Sequence, residues 1–245
     1  MVAEKQINEF LSRLRQAAGN NLQSVILYGS AADGEFHPDF SNVNLLCVLG
    51  ESSFAVLQKL KPAVEWWVRL RHPVPLMLTS EELERSADVF SIELLDMRDR
   101  HRVLYGADAL QGLVIPLHLH RAQLEYELRE KTILLRERIL LASGNKNHLC
   151  DVLLSSLSTF TTLFRHALMA MGDSVPRSKR ESIQVLASRI KLDPSAFFEL
   201  LDIREKKADR KRLNVNDVAD RYLTAVQQVT GAVDRMLDST EPGRA

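Results

Sequence analysis

The amino-acid sequence predicts two parts in series, a mixed α/β layer with a small sheet and then an all-α helical bundle, and three observations carry that prediction. Short β-rich apolar runs alternate with helical segments as far as residue 106. Clusters of Gly, Asn, Asp and Pro separate them, as expected of turns between short elements. From Leu117 onward the pattern changes to long helical periodicities broken by Gly144, Gly172 and Pro194. The division is placed at residues 1–112 and 113–245, and each part is large enough to bury a core of its own.

The elements follow in order. Ile7, Phe10, Leu11 and Leu14 recur at helical spacing, so residues 4–17 form a helix with one apolar face, ended by Gly19-Asn20-Asn21. SVILY is too short for a helix and is closed by Gly29, which makes it a buried strand, and NLLCVL at 44–49 is the next. FAVLQKLKPAVEWWVRL is helical, with an interruption expected before Pro62. PVPLMLT supplies a third strand, and residues 90–106 a further element and a final edge strand. About five helices then make the bundle, the first carrying Glu125 with Arg129 and Glu127 with Lys131 in the favourable order.

Composition excludes several classes. Charged residues are 26% of the chain and hydrophobic ones 45%, with formal net charge zero, so neither disorder nor a polybasic nucleic-acid binder is indicated. The acidic, amphipathic start lacks the pattern of a secretion signal, and no apolar run is long enough to span a bilayer, so the expected location is the cytoplasm and no membrane partner is expected. Cys47 and Cys150 lack CxxC spacing and sit in apolar surroundings, which predicts buried free thiols.

The stretch that carries chemistry is LYGSAADGEFHPDFSNVNLLCVL, residues 27–49. A strand ending in Gly29-Ser30 lets backbone approach a phosphate chain closely, because glycine has no Cβ and the following amides and hydroxyl can face phosphate oxygens. Where Mg²⁺ accompanies a bound phosphate chain, that hard cation is held by carboxylates. Two acids two residues apart on a strand face one side and serve the purpose. The second strand of this stretch opens instead on two amides, Asn42 and Asn44.

The stretch resembles the signature of the polymerase-β-like nucleotidyltransferase superfamily: an apolar strand, Gly-Ser, about a dozen residues, then Asp-x-Asp or Asp-x-Glu opening a second strand. Gly29-Ser30, the spacing and Ser41 match, and the helical second half is similar to the domain attached to aminoglycoside-type and minimal nucleotidyltransferases. The resemblance implies phosphate contacts from Gly29 and Ser30. In an active member it also implies ATP and Mg²⁺ as cofactors, in-line attack on the α-phosphate and loss of pyrophosphate.

The departures change the expectation. Asn42 and Asn44 replace the metal-binding acids, and Met77 in PVPLMLT occupies the aligned place of the third. An amide brings no charge to the ion's first shell, so tight binding of two metals is not expected. Glu35 and Asp39, with Asp33 and His37 beside them in the loop, are the possible substitutes, and Glu93 and Asp96 an alternative source of a third acid. The expected function is a nucleotidyltransferase fold that has lost transferase catalysis and acts by binding a nucleotide triphosphate or a partner. Two alternatives stand beside it: an active Mg-dependent enzyme transferring a nucleoside monophosphate to a small-molecule or protein hydroxyl, and a subunit of a toxin–antitoxin-like or regulatory complex that meets a protein partner through the helical domain.

Other features have plainer readings. REKKADRKR at 204–212 reads as a solvated helix end, since no aromatic residues interleave for base stacking. Arg165-His166, His118 and His120 read as packing or surface residues, because the Arg-to-His spacing of HEPN-type ribonuclease domains is absent. Trp66-Trp67 cannot both face the core of one regular helix, so one is expected at a domain interface.

Overall fold

The structure, a computed structural model, describes residues 2–32, 42–142, 144–176 and 178–238. It divides into two compact units, Met1–Leu117 and His118–Ala245.

In the first unit the helix α1 (Val2–Ala18) leads into β1 (Leu22–Tyr28), β2 (Asn44–Leu49), α2 (Phe54–Arg69) and β3 (Leu76–Thr79). The helices α3 (Ser80–Arg85) and α4 (Ser91–Asp99) follow, and then β4 (His101–Gly106). The strand order is β3-β2-β1-β4, with β1 antiparallel to both β2 and β4 and β2 parallel to β3. Strand alternation sorts the side chains onto two cores. Val25, Leu27, Leu45, Cys47 and Leu49 pack with Phe10, Leu14, Leu60 and Trp67, so α1 and α2 cover that face. Ile26, Leu46 and Val48 pack on the other face with Leu83, Leu94 and Met97 of α3 and α4.

Helix α2 is continuous through Pro62, contrary to the interruption expected there. Val56, Leu60, Ala63 and Trp67 are buried on one side of it, on both sides of the proline in sequence, while Pro62 itself is exposed. The carbonyl that loses its partner at Gln58 belongs to the exposed side, and burial of four apolar side chains outweighs a proline cost of about 3 kcal/mol. Trp67 is fully buried, stacks on Phe10 at 4.6 Å and on His72 at 4.0 Å, and donates from Nε1 to the Pro73 carbonyl at 3.0 Å. Trp66 packs partly against the same core under the Arg13 guanidinium. Helix α3 was not anticipated, although Thr79-Ser-Glu-Glu82 spells a capping box that the structure forms.

The second unit comprises α5 (His120–Leu141), α6 (Lys146–Ala170), α7 (Lys179–Ile190), α8 (Ser195–Arg204) and α9 (Val215–Asp238). Helix α6 is the central member, buried around its circumference from Phe160 to Leu168 and packed by the other four. Phe197 stacks on Tyr222 at 4.4 Å, and Phe160 meets the same ring edge-on. The Tyr222 hydroxyl lies 3.1 Å from Ser156 Oγ. The ion pairs expected on α5 are present, Arg129 to Glu125 at 2.7 Å and Lys131 to Glu127 at 3.3 Å. No helix among the described residues is long and apolar enough to cross a membrane. Cys47 and Cys150 are buried free thiols, and burial pushes the Cys47 thiol up to about 12.

Candidate functional site

The site is assembled at one end of the sheet. Tyr28 closes β1, and Gly29 turns the chain with φ of +77°, a left-handed conformation that glycine adopts without steric cost. The Gly29 amide donates to the Arg100 carbonyl at 2.9 Å and the Ala32 amide to the Gly29 carbonyl at 2.9 Å, so the Gly29-Ser30-Ala31 turn is tied to the start of β4. Across the other edge of β1, Tyr28 pairs with Asn44. A Cβ built on Gly29 would lie 3.5 Å from Asn44 Nδ2. The structure therefore brings Gly29, Ser30 and Asn44 together, with exposed Asn42 two residues upstream. Glu35 and Asp39, with Asp33, His37 and Ser41, lie outside the described residues.

Register decides what else faces this end. Asn44, Leu46 and Val48 share one face of β2, and Leu46 pairs with Leu76 in β3. Leu76 and Leu78 accordingly lie on the Asn44 face. Met77 pairs with Cys47 and packs into the opposite core with α1 and α2. Of the two β3 residues on the Asn44 face, Leu76 is the nearer to Asn44 and is 38% exposed, and continuing the parallel register two residues back sets Val74 level with Asn44. Glu93 and Asp96 are placed on helix α4, not on a strand.

Sequence reasoning missed His101. Tyr28 pairs with Asn44 on one side and with His101 on the other, so the three side chains form one row on one face of the sheet. His101 Nδ1 lies 2.9 Å from the Arg98 carbonyl and Nε2 lies 2.9 Å from Asp108 Oδ2, so both ring nitrogens face acceptors. The other Asp108 oxygen accepts from the Leu110 and Gln111 amides. Burial works to raise the Asp108 carboxyl, and the bonds from His101, Leu110 and Gln111 outweigh it, leaving it below its ordinary value. Burial, helped by nearby Cys47, holds the Tyr28 phenol above its ordinary value, so Tyr28 stays protonated. No local motif marks His101, because its place in the row arises from the pairing of β4 with β1 across more than 70 residues.

The described residues do not by themselves supply the carboxylates that a magnesium pair needs. Asn44 and Leu76 bring no charge to this face of the sheet, and both oxygens of Asp108 are engaged. Among the described residues no group of three or more His, Cys, Asp or Glu is placed to hold a metal ion.

The helical unit holds the remaining sequence candidates. His120 Nε2 lies 2.9 Å from His166 Nδ1, both residues buried, and Arg165 is buried beside them. The REKKADRKR run is not simply a solvated helix end. Arg204 is buried and donates to Ser158 Oγ at 2.6 Å, and Arg210 donates to Asp151 and to the Asn147 carbonyl, both at 2.6 Å. Arg204 ties the end of α8, and Arg210 the segment after it, to α6, which leaves less free charge than the sequence suggests.

No protein-family model and no curated protein matches the chain. Among solved structures, a spectinomycin adenyltransferase AAD(9) from Enterococcus faecialis, solved with ATP and spectinomycin, matches over 92% of this chain and 98% of that chain, at 17% identity and a TM-score of 0.53. A toxin–antitoxin structure solved with AMP-PNP matches over 41% of this chain and 73% of that chain, at 16% identity and a TM-score of 0.29, too low to carry an argument. The four-stranded mixed sheet and the helical part that follows it thus have the fold of a nucleotidyltransferase.

Proposed function

We propose that this protein uses a nucleotidyltransferase fold to bind a nucleoside triphosphate without transferring its nucleotidyl group. One observation carries the reading: the face of the sheet beside the Gly29-Ser30 turn presents Asn44, with Asn42 just upstream and Leu76 on β3, where the chemistry of the fold needs negative charge. Each lost carboxylate removes a charge from the shell of a dication, and an amide oxygen restores only a dipole. Without that shell the α-phosphate is not activated and the leaving pyrophosphate is not neutralised. The turn remains suited to phosphate, and a chain of the same fold solved with ATP supports a nucleotide as the ligand class.

The test is pyrophosphate release from ATP, GTP, CTP and UTP in the presence of Mg²⁺, with candidate hydroxyl acceptors added. The expected result is no release above the rate without protein. Release that disappears in Glu35→Gln or Asp39→Asn would overturn the proposal and identify the loop acids as the metal ligands of a working enzyme. If no nucleotide binds at all, partner binding is the reading that survives.

A further inference from the structure

The end of the sheet presents hydrogen-bond donors beside the Gly29 turn. The row across β2, β1 and β4 presents the Asn44 amide, the Tyr28 phenol and the His101 imidazole on one face. The Asn44 nitrogen is the side-chain atom that faces the Gly29 turn. Neither Asn42 nor Asn44 has a side-chain hydrogen-bond partner among the described residues. The carboxylate level with this row, Asp108, is occupied by His101 and two backbone amides. A row of carboxylates repels a bare polyphosphate and admits it only with a cation between them, whereas the neutral N–H of Asn44 and O–H of Tyr28 can donate to phosphate oxygens directly, both nitrogens of His101 being engaged already.

Resting on the function proposed above, we infer that the site takes the nucleoside triphosphate free of divalent cation, with the Asn44 amide donating to the phosphate chain. Metal-bound nucleotide is the poorer ligand here, because Mg²⁺ neutralises the charge that the donors recognise and finds no free carboxylate in return among the described residues of the row. His101, held by the Arg98 carbonyl and Asp108, is a positioning residue that fixes the level of β4 beside the turn.

The experiment is calorimetric titration of ATP, and separately of inorganic tripolyphosphate, into the full chain in EDTA and in excess Mg²⁺. Binding of ATP in EDTA at least as tight as in Mg²⁺ is the expected result, with Asn44→Asp weakening the EDTA titration by roughly tenfold or more, as a new negative charge facing phosphate requires. Asn44→Ala, which removes the donor without adding charge, weakens it less. Tripolyphosphate binding of similar strength assigns the recognition to the phosphate chain, and its absence with ATP binding retained assigns a share to the nucleoside while leaving the cation independence intact.

Binding that requires Mg²⁺ overturns the inference, and it leaves the loss of transfer untouched if pyrophosphate release stays absent. Equal EDTA titrations for wild type and Asn44→Asp, with Asn44→Asp giving the wild-type melting curve, also overturn it, since the amide then does not meet the phosphates. No ATP binding in either buffer overturns both the inference and the nucleotide part of the proposed function.

Discussion

Placing acids at Asn42 and Asn44 sets up a direct comparison between Leu76 and Met77 as the place for a third. In an Asn42→Asp, Asn44→Asp background, Leu76→Glu puts a carboxylate on the Asn44 face, because Leu76 pairs with Leu46 and shares its side of the sheet. Met77→Glu puts it on the other face, in contact with the core that holds Cys47, Leu60 and Trp67. A dication and a carboxylate about 4 Å apart attract with roughly 8 kcal/mol at an effective dielectric constant near 20. Desolvation cancels most of this, and a net gain on the order of 1.4 kcal/mol is a tenfold increase in affinity. Met77→Glu gains nothing at the metal and places an unpaired acid against a buried core, at a cost of about 3 kcal/mol. For a unit of this size that loss lowers Tm by roughly 10 °C or more. Mn²⁺ titration followed by electron paramagnetic resonance, with a thermal melt of each variant, reads both effects. Equal Mn²⁺ affinity for the Leu76→Glu and Met77→Glu triple variants, or a stable Met77→Glu protein, would refute the assignment of faces.

Other outcomes follow from single positions. Gly106 has φ of +74°, and a Cβ there would lie 1.9 Å from the Gln23 carbonyl oxygen, so Gly106→Ala should lose about 3 kcal/mol or more, whereas Gly112→Ala, at +81° with open space around it, should lose about 1 kcal/mol. Both tryptophans lie in the first unit, so urea unfolding followed by their fluorescence measures these losses there. Burial, reinforced by His166, lowers His120 from 6.5 to about 4. The unfolded chain then binds the proton more readily, so stability is complete above pH 6.5 and falls as pH drops toward 4, by an amount on the order of 3 kcal/mol. Hydrogen exchange of α5 and α6 amides across that range should show the loss, and His120→Gln should flatten it. Asp108, held below its ordinary 3.8, contributes stability that is present above about pH 4 and lost as pH falls through its lowered value. Asp108→Asn should therefore remove part of the acid transition of the first unit, and an unchanged acid limb would show that the His101 contact stabilises nothing.

Much of this protein is determined locally and can be read from the chain by itself. NLLCVL is a strand because five apolar residues behind Asn44, bounded by turn signals, are too short a run for a helix, and the structure sets β2 at Asn44–Leu49. The five bundle helices follow from their periodicity and from Gly144, Gly172 and Pro194 between them. The amide character of Asn42 and Asn44 is legible too, since it is a matter of residue type. What only the tertiary structure decides is which residues share a face. A one-residue difference along β3 moves a side chain from one core to the other, and the sequence of β3 does not state its register with β2. His101 likewise joins Tyr28 and Asn44 only because β4 pairs with β1, and Pro62 stays inside a helix because the core on either side of it holds α2 in place. Propensity and spacing act between near neighbours, whereas the composition of this site depends on pairings between strands far apart in the chain.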